Sequence, residues 1–143
     1  MKTFKKDYNF GKECENKVIE ILNKNFNIDE NIRPVNSIYS SYDFVGNNYC
    51  YELKSRNNKH LDYHTTLIPK YKCNRDNLIL LFYFTDGLYY IEYDPNLFDT
   101  FETKRFKRND RVDKIQRPVE YYYIPVEFLT RIEYVSCGST ATF

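Results

Sequence analysis

At 143 residues and 17.4 kDa, the chain is long enough for one domain with its own hydrophobic core. Its net charge of +1 excludes a uniformly basic nucleic-acid-binding protein, so any contact with a polyanion requires a local basic patch. The four cysteines form no CxxC pair, which argues against a zinc ribbon or an iron–sulfur site and favours reduced thiols in an intracellular protein. No apolar run approaches the ~18 residues of a membrane span, and the first residues lack the apolar stretch of a signal peptide, so we expect no membrane partner.

The first predicted element is an amphipathic helix over residues 10–26. Val18 and Leu22 recur at helical spacing on one stripe, and Glu15 lies in the middle of that stripe. A single acid in such a place is most often the partner of a buried Lys or Arg. The alternative is that Glu15 belongs to a site that tolerates charge.

The next elements form a predicted hairpin within residues 42–56, after a short extended segment. Strong strand formers flank Gly46, Asn47 and Asn48, which are typical of a tight turn. If the two asparagines form a two-residue turn, Asp43 lies directly opposite Glu52. A register shifted by one residue makes Glu52 the diagonal neighbour of Asp43, still on the same face.

One face of this hairpin is therefore charged. Alternation along the second strand puts Glu52, Lys54 and Arg56 on a single face, and either register places Asp43 beside them. Two carboxylates this close repel each other and need a cation. Lys54 supplies one positive charge, and a divalent metal ion would supply two.

The rest of the chain predicts a mixed α/β sheet with helix cover. The predicted elements are a short helix over 65–71, a buried strand over 78–85, a turn at 86–87, a strand over 88–94, a charged mobile loop over 102–117, a strand over 121–125 and one or two helical turns over 126–132. Pro69 conflicts with the second helix, because proline suits only a first turn. We expect one domain over 1–143, with a core at about 10–94, a basic loop at 102–117 and a C-terminal strand and short helix at 119–134.

The acidic hairpin resembles a known family. Asp43, followed after eight residues by Glu52-Leu53-Lys54, resembles the D…(D/E)xK core of the PD-(D/E)XK nuclease superfamily. The preceding G-x-x-x-E-x-x-V-x-x-x-L pattern, residues 11–22, resembles the helix that carries an extra acid in many members. The resemblance covers about residues 10–85 and departs at Tyr42, where many members have proline. It implies a restriction-endonuclease-like α/β fold of order α-β-β-β-α-β, with a central mixed sheet flanked by helices and with added C-terminal strands.

The resemblance also implies an activity: Mg²⁺- or Mn²⁺-dependent hydrolysis of DNA phosphodiester bonds by an endonuclease. Asp43, Glu52 and the backbone carbonyl of Leu53 would bind the metal, and Glu15 would act through water or a second ion. Lys54 would orient or deprotonate the attacking water, or offset charge in the transition state. We expect a homodimer, because one minimal core cuts one strand. A structure-specific or junction-resolving role is favoured, because the sequence contains no separate specificity domain.

Basic residues outside the motif are predicted DNA contacts. They are Arg56, Lys70, Lys72, Arg105, Lys107 and Arg108. The segment 104–117 carries seven basic and two acidic residues, a net charge of +5 that leaves about −4 for the rest of the chain. This asymmetry favours a DNA-binding arm, and the alternative is a solvated loop without a partner.

Three other interpretations remain open. His60 and His64 have the spacing of a zinc pair on a helix, although their surroundings are poor in helix formers and surface histidines are favoured. A non-catalytic nucleic-acid-binding module could keep the same fold. A virion-associated or structural interaction protein could use the tyrosine-rich stretch 121–129, which we expect to form sheet and core rather than a base-stacking surface.

Overall fold

The computed structural model describes residues 4–26, 29–35, 42–106 and 118–134, with helix side chains described from Cys14 onward. The helices are α1 (Phe4–Asn25) and α2 (Pro95–Phe98), with 3-10 turns at Lys70–Lys72 and Val126–Phe128. The strands are β1 (Arg33–Pro34), β2 (Phe44–Val45), β3 (Cys50–Ser55), β4 (Thr65–Pro69), β5 (Leu78–Phe84), β6 (Gly87–Glu92), β7 (Glu102–Phe106), β8 (Val119–Pro125) and β9 (Thr130–Arg131).

The strands form two sheets. The larger has six strands in the order β1-β2-β3-β5-β6-β9, and β3 and β5 are its parallel pair among antiparallel neighbours. The smaller is antiparallel, in the order β4-β8-β7. The predicted α/β class with a mixed sheet is therefore confirmed.

The six-stranded sheet lies between α1 and the three-stranded sheet. On one face, Val18 and Leu22 of α1 pack against Phe44 and Tyr51. On the other face, the alternate residues of β5, such as Phe82, pack against the smaller sheet. This double cover explains the continuous apolar run of β5, because a strand buried on both faces has no solvent side to make polar.

The predicted helix over 65–71 is wrong. Residues 65–69 are β4, which pairs with β8 from Thr65–Pro125 to Pro69–Tyr121, and only Lys70–Lys72 form a 3-10 turn. The β-branched side chains of Thr65, Thr66 and Ile68 favour an extended backbone, and Pro69 falls at the strand end. The connection between the parallel strands β3 and β5 therefore passes through the second sheet, so the element order is not α-β-β-β-α-β.

Two predictions near the C-terminus also need correction. Residues 102–106 are not loop but strand β7, where Phe106 stacks on Tyr121 with ring centroids 4.5 Å apart. The remainder of the predicted mobile loop, 107–117, lies outside the described residues. The predicted helical turns over 126–132 are one 3-10 turn followed by β9.

No helix in the described part of the chain combines the length and apolar character needed to cross a bilayer.

Candidate functional site

The β2–β3 hairpin adopts the register predicted for a turn at Asn47 and Asn48. Val45 pairs with Cys50, and the backbone N–H of Gly46 donates to the Tyr49 carbonyl at 2.8 Å. One step outward, the N–H of Asp43 donates to the carbonyl of Tyr51 at 2.9 Å. Asp43 therefore lies beside the strand position of Glu52, and alternation puts both side chains on the face turned away from α1.

Glu30 holds the turn of this hairpin from inside the protein. Its fully buried carboxylate accepts the backbone N–H groups of Asn48 and Tyr49, each at 2.8 Å, and the Tyr51 hydroxyl at 3.0 Å. The side-chain amide of Asn48 adds a bond of 2.9 Å. A buried carboxylate is tolerated when its lone pairs are satisfied in this way. Burial and then the hydrogen bond to Glu30 raise the pKa of Tyr51 well above its usual value, so its hydroxyl stays a donor.

Gly46 leaves room for that carboxylate. A Cβ at position 46 would lie 2.7 Å from Cδ of Glu30, closer than side-chain atoms can pack. The sequence analysis missed Glu30, which stands in an aperiodic segment with no local signal. The pairing of a glycine with an acid sixteen residues earlier becomes visible only in the folded chain.

Glu52 is the central group of the acidic face. Its side chain is only 4% exposed, and its Oε2 lies 3.4 Å from Nζ of Lys54 and 3.6 Å from Nζ of Lys72. Its Oε1 is buried and has no hydrogen-bond partner among the described residues. Burial, and next the charge of Asp43, raise the pKa of Glu52 above its ordinary value, although both lysines oppose the shift.

Asp43 is tied to the strand that carries Glu52. Its Oδ2 accepts the backbone N–H of Leu53 at 2.8 Å. Because the N–H and C=O of a strand residue point to the same side, the Leu53 carbonyl also points toward Asp43 rather than toward β5. The structure thus brings together three of the predicted metal-binding groups: Asp43, Glu52 and the Leu53 carbonyl.

These groups fit a hard divalent cation better than zinc. Mg²⁺ takes oxygen ligands, uses one or two carboxylates and keeps water or phosphate in the remaining positions. Such an ion would bind Oε1 of Glu52, the buried oxygen that has no hydrogen-bond partner among the described residues. Within the described ranges there is no cluster of three or more His, Cys, Asp or Glu residues that could hold a metal. Burial and then the charge of Glu52 raise the pKa of the nearby Cys73 thiol to about 12.

Glu15 is not part of this group, contrary to the prediction from the sequence. It lies on α1, whose apolar stripe with Val18 and Leu22 packs on the opposite face of the sheet from Glu52. Its side chain is half-buried on this helix. The sheet itself separates the helix acid from the hairpin acids.

The predicted DNA contacts have different environments. Arg56 is committed internally, because it donates to the Thr66 hydroxyl at 3.2 Å and to the Leu67 carbonyl at 2.6 Å. Burial lowers the pKa of Arg56, and the prediction that it contacts phosphate is corrected to a role in joining the two sheets. Lys70 lies 3.5 Å from Glu120 and stays partly exposed.

The remaining predicted contacts divide between the site and the basic segment. Lys72 reaches Glu52 and so belongs to the acidic site. Arg105 is exposed on β7, whereas Lys107 and Arg108 lie outside the described residues.

The alternative zinc pair is not assembled. Nδ1 of His60 lies 2.6 Å from Oδ2 of Asp86, and its ring stacks on Tyr89 with centroids 4.5 Å apart. His64 is exposed. Cys14, Cys50 and Cys73 are free thiols.

Comparisons of this chain with protein-family models, with curated proteins and with solved structures find no match.

Proposed function

We propose that the protein is a divalent-cation-dependent endonuclease that hydrolyses phosphodiester bonds in DNA. The observation that carries the proposal is the buried carboxylate of Glu52, with an unpartnered Oε1, on the same face as Asp43 and two lysines. Few structural roles require a buried acid to keep one oxygen unsatisfied, because that arrangement costs stability. Bound Mg²⁺ or Mn²⁺ would compensate this cost.

The charges of the site support the need for a cation. Asp43 and Glu52 together carry two negative charges, and Lys54 and Lys72 carry two positive charges, so the four side chains sum to zero. A neutral site has little attraction for a phosphodiester anion. A divalent ion held by Asp43, Glu52 and the Leu53 carbonyl would supply two positive charges where negative charge develops on the phosphoryl oxygens.

The lysines then have separable tasks. Both ammonium groups approach the Oε2 side of Glu52 and oppose the rise of its pKa, leaving Oε1 available. Lys54, next in alternation to Glu52 on β3, would orient the attacking water and offset charge in the transition state. Lys72, which enters from the 3-10 turn after β4, would contact a phosphate oxygen.

A restriction-endonuclease-like architecture is part of the proposal. An antiparallel β2–β3 hairpin, a parallel β3–β5 pair and a covering helix on one face support it. The connection through β4 departs from the expected second helix, and its basic residues Lys70 and Lys72 lie in the 3-10 turn after that strand. We further propose a homodimer and a structure-specific or junction-resolving substrate preference.

The test is nicking of supercoiled plasmid with Mg²⁺, with Mn²⁺ and with EDTA, using Glu52→Gln prepared identically to exclude contaminating nucleases. Metal-dependent nicking by the wild type alone supports the proposal. Tight DNA binding with no nicking under any metal would instead support a non-catalytic binding module. A panel of linear, nicked, flap, four-way-junction and RNA substrates then defines the preference.

A further inference from the structure

Arg75, which the family motif does not include, lies on the same face of the larger sheet as Glu52. Its Nη1 is 3.8 Å from Sγ of Cys50, and its Cζ lies 4.6 Å from the centroid of the Tyr42 ring. Cys50 packs against the apolar cluster between the two sheets and precedes Glu52 by two residues on β3, so the two side chains share one face. The guanidinium of Arg75 is therefore beside the proposed metal site.

Two contacts hold this guanidinium at the hairpin. Tyr42 directly precedes Asp43, at the position where the chain departs from the proline of the family motif, and Cys50 is the first residue of β3. Arg75 belongs to the connection between the 3-10 turn and β5, which is tied to β3 because the N–H of Cys50 donates to the Asn77 carbonyl at 2.9 Å. Stacking on an aromatic ring restricts the orientation of a guanidinium without using its N–H donors.

The guanidinium has donors that the fold does not use. The side chain is exposed, and within the described residues no carboxylate lies at salt-bridge distance from it. The thiol of Cys50 is a weak acceptor for one N–H, and that part of the chain offers this side chain no other acceptor. Arg131 shows the alternative, since it also lies over a ring, that of Tyr89, but pairs with Glu133 at 3.7 Å. An oriented guanidinium without an acid partner is the group that binds a phosphate through two parallel hydrogen bonds.

Positive groups lie on both sides of Glu52 along β3. Arg75 reaches the position of Cys50, and Lys54 is two residues beyond Glu52 in the other direction. Two strand residues span about 6.7 Å, which is the rise of about two nucleotides along one DNA strand. A strand whose scissile phosphate lies at Glu52 would thus bring a neighbouring phosphate to Arg75.

We propose that Arg75 binds a phosphate of the substrate strand within about two nucleotides of the scissile phosphate, and that Tyr42 is a positioning residue that holds the guanidinium. This inference rests on the proposed nuclease function and deepens it. The substrate is then a strand that continues past the cut, as an endonuclease requires. Arg75 fixes the register of that strand through its backbone rather than through its bases.

The first experiment measures binding of a fluorescent DNA duplex in EDTA over a range of salt concentrations, so that no cleavage occurs. Arg75→Gln should weaken binding about tenfold and lower the slope of log K against log salt by about one unit, because one phosphate contact is lost. Arg75→Lys keeps the charge but not the planar fork, so it should keep the slope and lose part of the affinity. Arg131→Gln, at the edge of the sheet beyond β6, should bind as the wild type does. An unchanged affinity and slope for Arg75→Gln would overturn the proposal.

The positioning role of Tyr42 has its own readout. Tyr42→Leu removes the ring but no charge, so it should weaken binding while leaving the salt slope unchanged. Tyr42→Phe keeps the ring and should restore the affinity of the wild type. Equal affinity of these two variants would remove the positioning role.

A second measurement needs no variant. Cys50 lies beside Arg75, whereas Cys14 lies on α1, which packs on the opposite face of the sheet. Saturating duplex should slow the alkylation of Cys50 by iodoacetamide, followed by peptide mass spectrometry, and should leave the rate at Cys14 unchanged. Unchanged alkylation of Cys50 in the complex would overturn the proposal.

These outcomes are distinct from a failure of the nuclease function. If the wild type nicks plasmid and Arg75→Gln does so with the same KM, the nuclease function stands and the phosphate contact fails. If binding depends on Arg75 and no metal supports nicking, the phosphate contact stands and the nuclease function fails.

Discussion

Lys72 lies 3.6 Å from Oε2 of Glu52, although Glu52 is on β3 of the larger sheet and Lys72 is twenty positions later, in the 3-10 turn after β4 of the smaller sheet. Lys54 approaches the same oxygen, and Oε1 remains buried without a partner in the described residues. The two oxygens of the carboxylate therefore differ: Oε2 lies beside two positive charges, whereas Oε1 has neither a cation nor a hydrogen-bond donor beside it in the described part of the chain. This asymmetry is the basis of the first two predictions.

Glu52→Gln and Asp43→Asn should each lower the rate of Mg²⁺-dependent cleavage by at least ~10²-fold, because each removes a charge that would hold the ion. The raised pKa of Glu52 indicates that the fold disfavours its ionised form, so Glu52→Gln should unfold at equal or higher urea concentration than the wild type. Quenched-flow or gel assays and urea unfolding measure the two effects. Wild-type cleavage rates in either variant would remove both residues from the site.

Lys72→Met should lower the cleavage rate, because one of the two cations beside Glu52 is lost. The same loss should raise the pKa of Glu52 and shift the acidic limb of the pH–rate profile to higher pH. Lys70→Met is the matched control, since Lys70 pairs with Glu120 and leaves the site unchanged. The pH profile of cleavage for the two variants decides the matter. An identical profile for both would reduce Lys72 to a structural ion-pair partner.

The hairpin with its acidic face could be predicted because its determinants are local. Turn residues and alternation put Asp43 and Glu52 on the same face in either of two registers, without reference to the rest of the fold. Strand β4 could not be predicted, because its hydrogen bonds go to β8, 52 to 60 residues later, and because short apolar runs are ambiguous between helix and strand. The role of Lys72 depends on that same pairing, because β4 delivers the turn that carries it.

The error over Glu15 has a different cause. Helical periodicity identifies the packing stripe of α1, but it does not say which face of the sheet the stripe will cover. The structure places α1 over Phe44 and Tyr51, and therefore on the face away from Glu52. A similar limit applies to Glu30, whose four hydrogen-bond donors come from a turn far along the chain.

Glu30→Ala should destabilise the protein by about 2 kcal/mol or more, because it leaves buried hydrogen-bond donors of the hairpin without an acceptor. Gly46→Ala should also destabilise it, since the new methyl group would overlap the Glu30 carboxylate. Glu20→Gln, which affects only an exposed pair with Lys24, should change stability by less than about 0.5 kcal/mol. Denaturant unfolding measures all three. If Glu30→Ala is as stable as Glu20→Gln, the turn does not depend on the buried carboxylate.

His60 and Asp86 give the protein a defined acid sensitivity. Burial alone would raise the pKa of Asp86, but hydrogen bonds from the side chain and backbone of His60 outweigh it and lower that pKa. An acid with a lowered pKa in the folded state stabilises the fold above its unfolded pKa and loses this contribution as pH falls below about 4. Asp86→Asn should therefore flatten the decline of stability below pH 4, measured by thermal unfolding at a series of pH values. Asp76→Asn, which changes an exposed acid outside the His60–Asp86 pair, should keep the decline of the wild type.

Neutralising Arg105, Lys107 and Arg108 together should weaken binding to all duplexes alike, because the segment 104–117 concentrates basic charge and backbone contacts carry little sequence information. The slope of log K against log salt should fall by roughly two to three units, one for each lost phosphate contact. The cleavage rate on saturating DNA should change little, since Arg105 lies on β7 and not among the residues around Glu52. A control that neutralises the exposed Lys24, Arg33 and Lys59 should leave the salt slope nearly unchanged. If the triple variant binds normally at low and high salt, the segment does not contact DNA. If it binds normally but no longer dimerises, sedimentation will assign the segment to a protein interface instead.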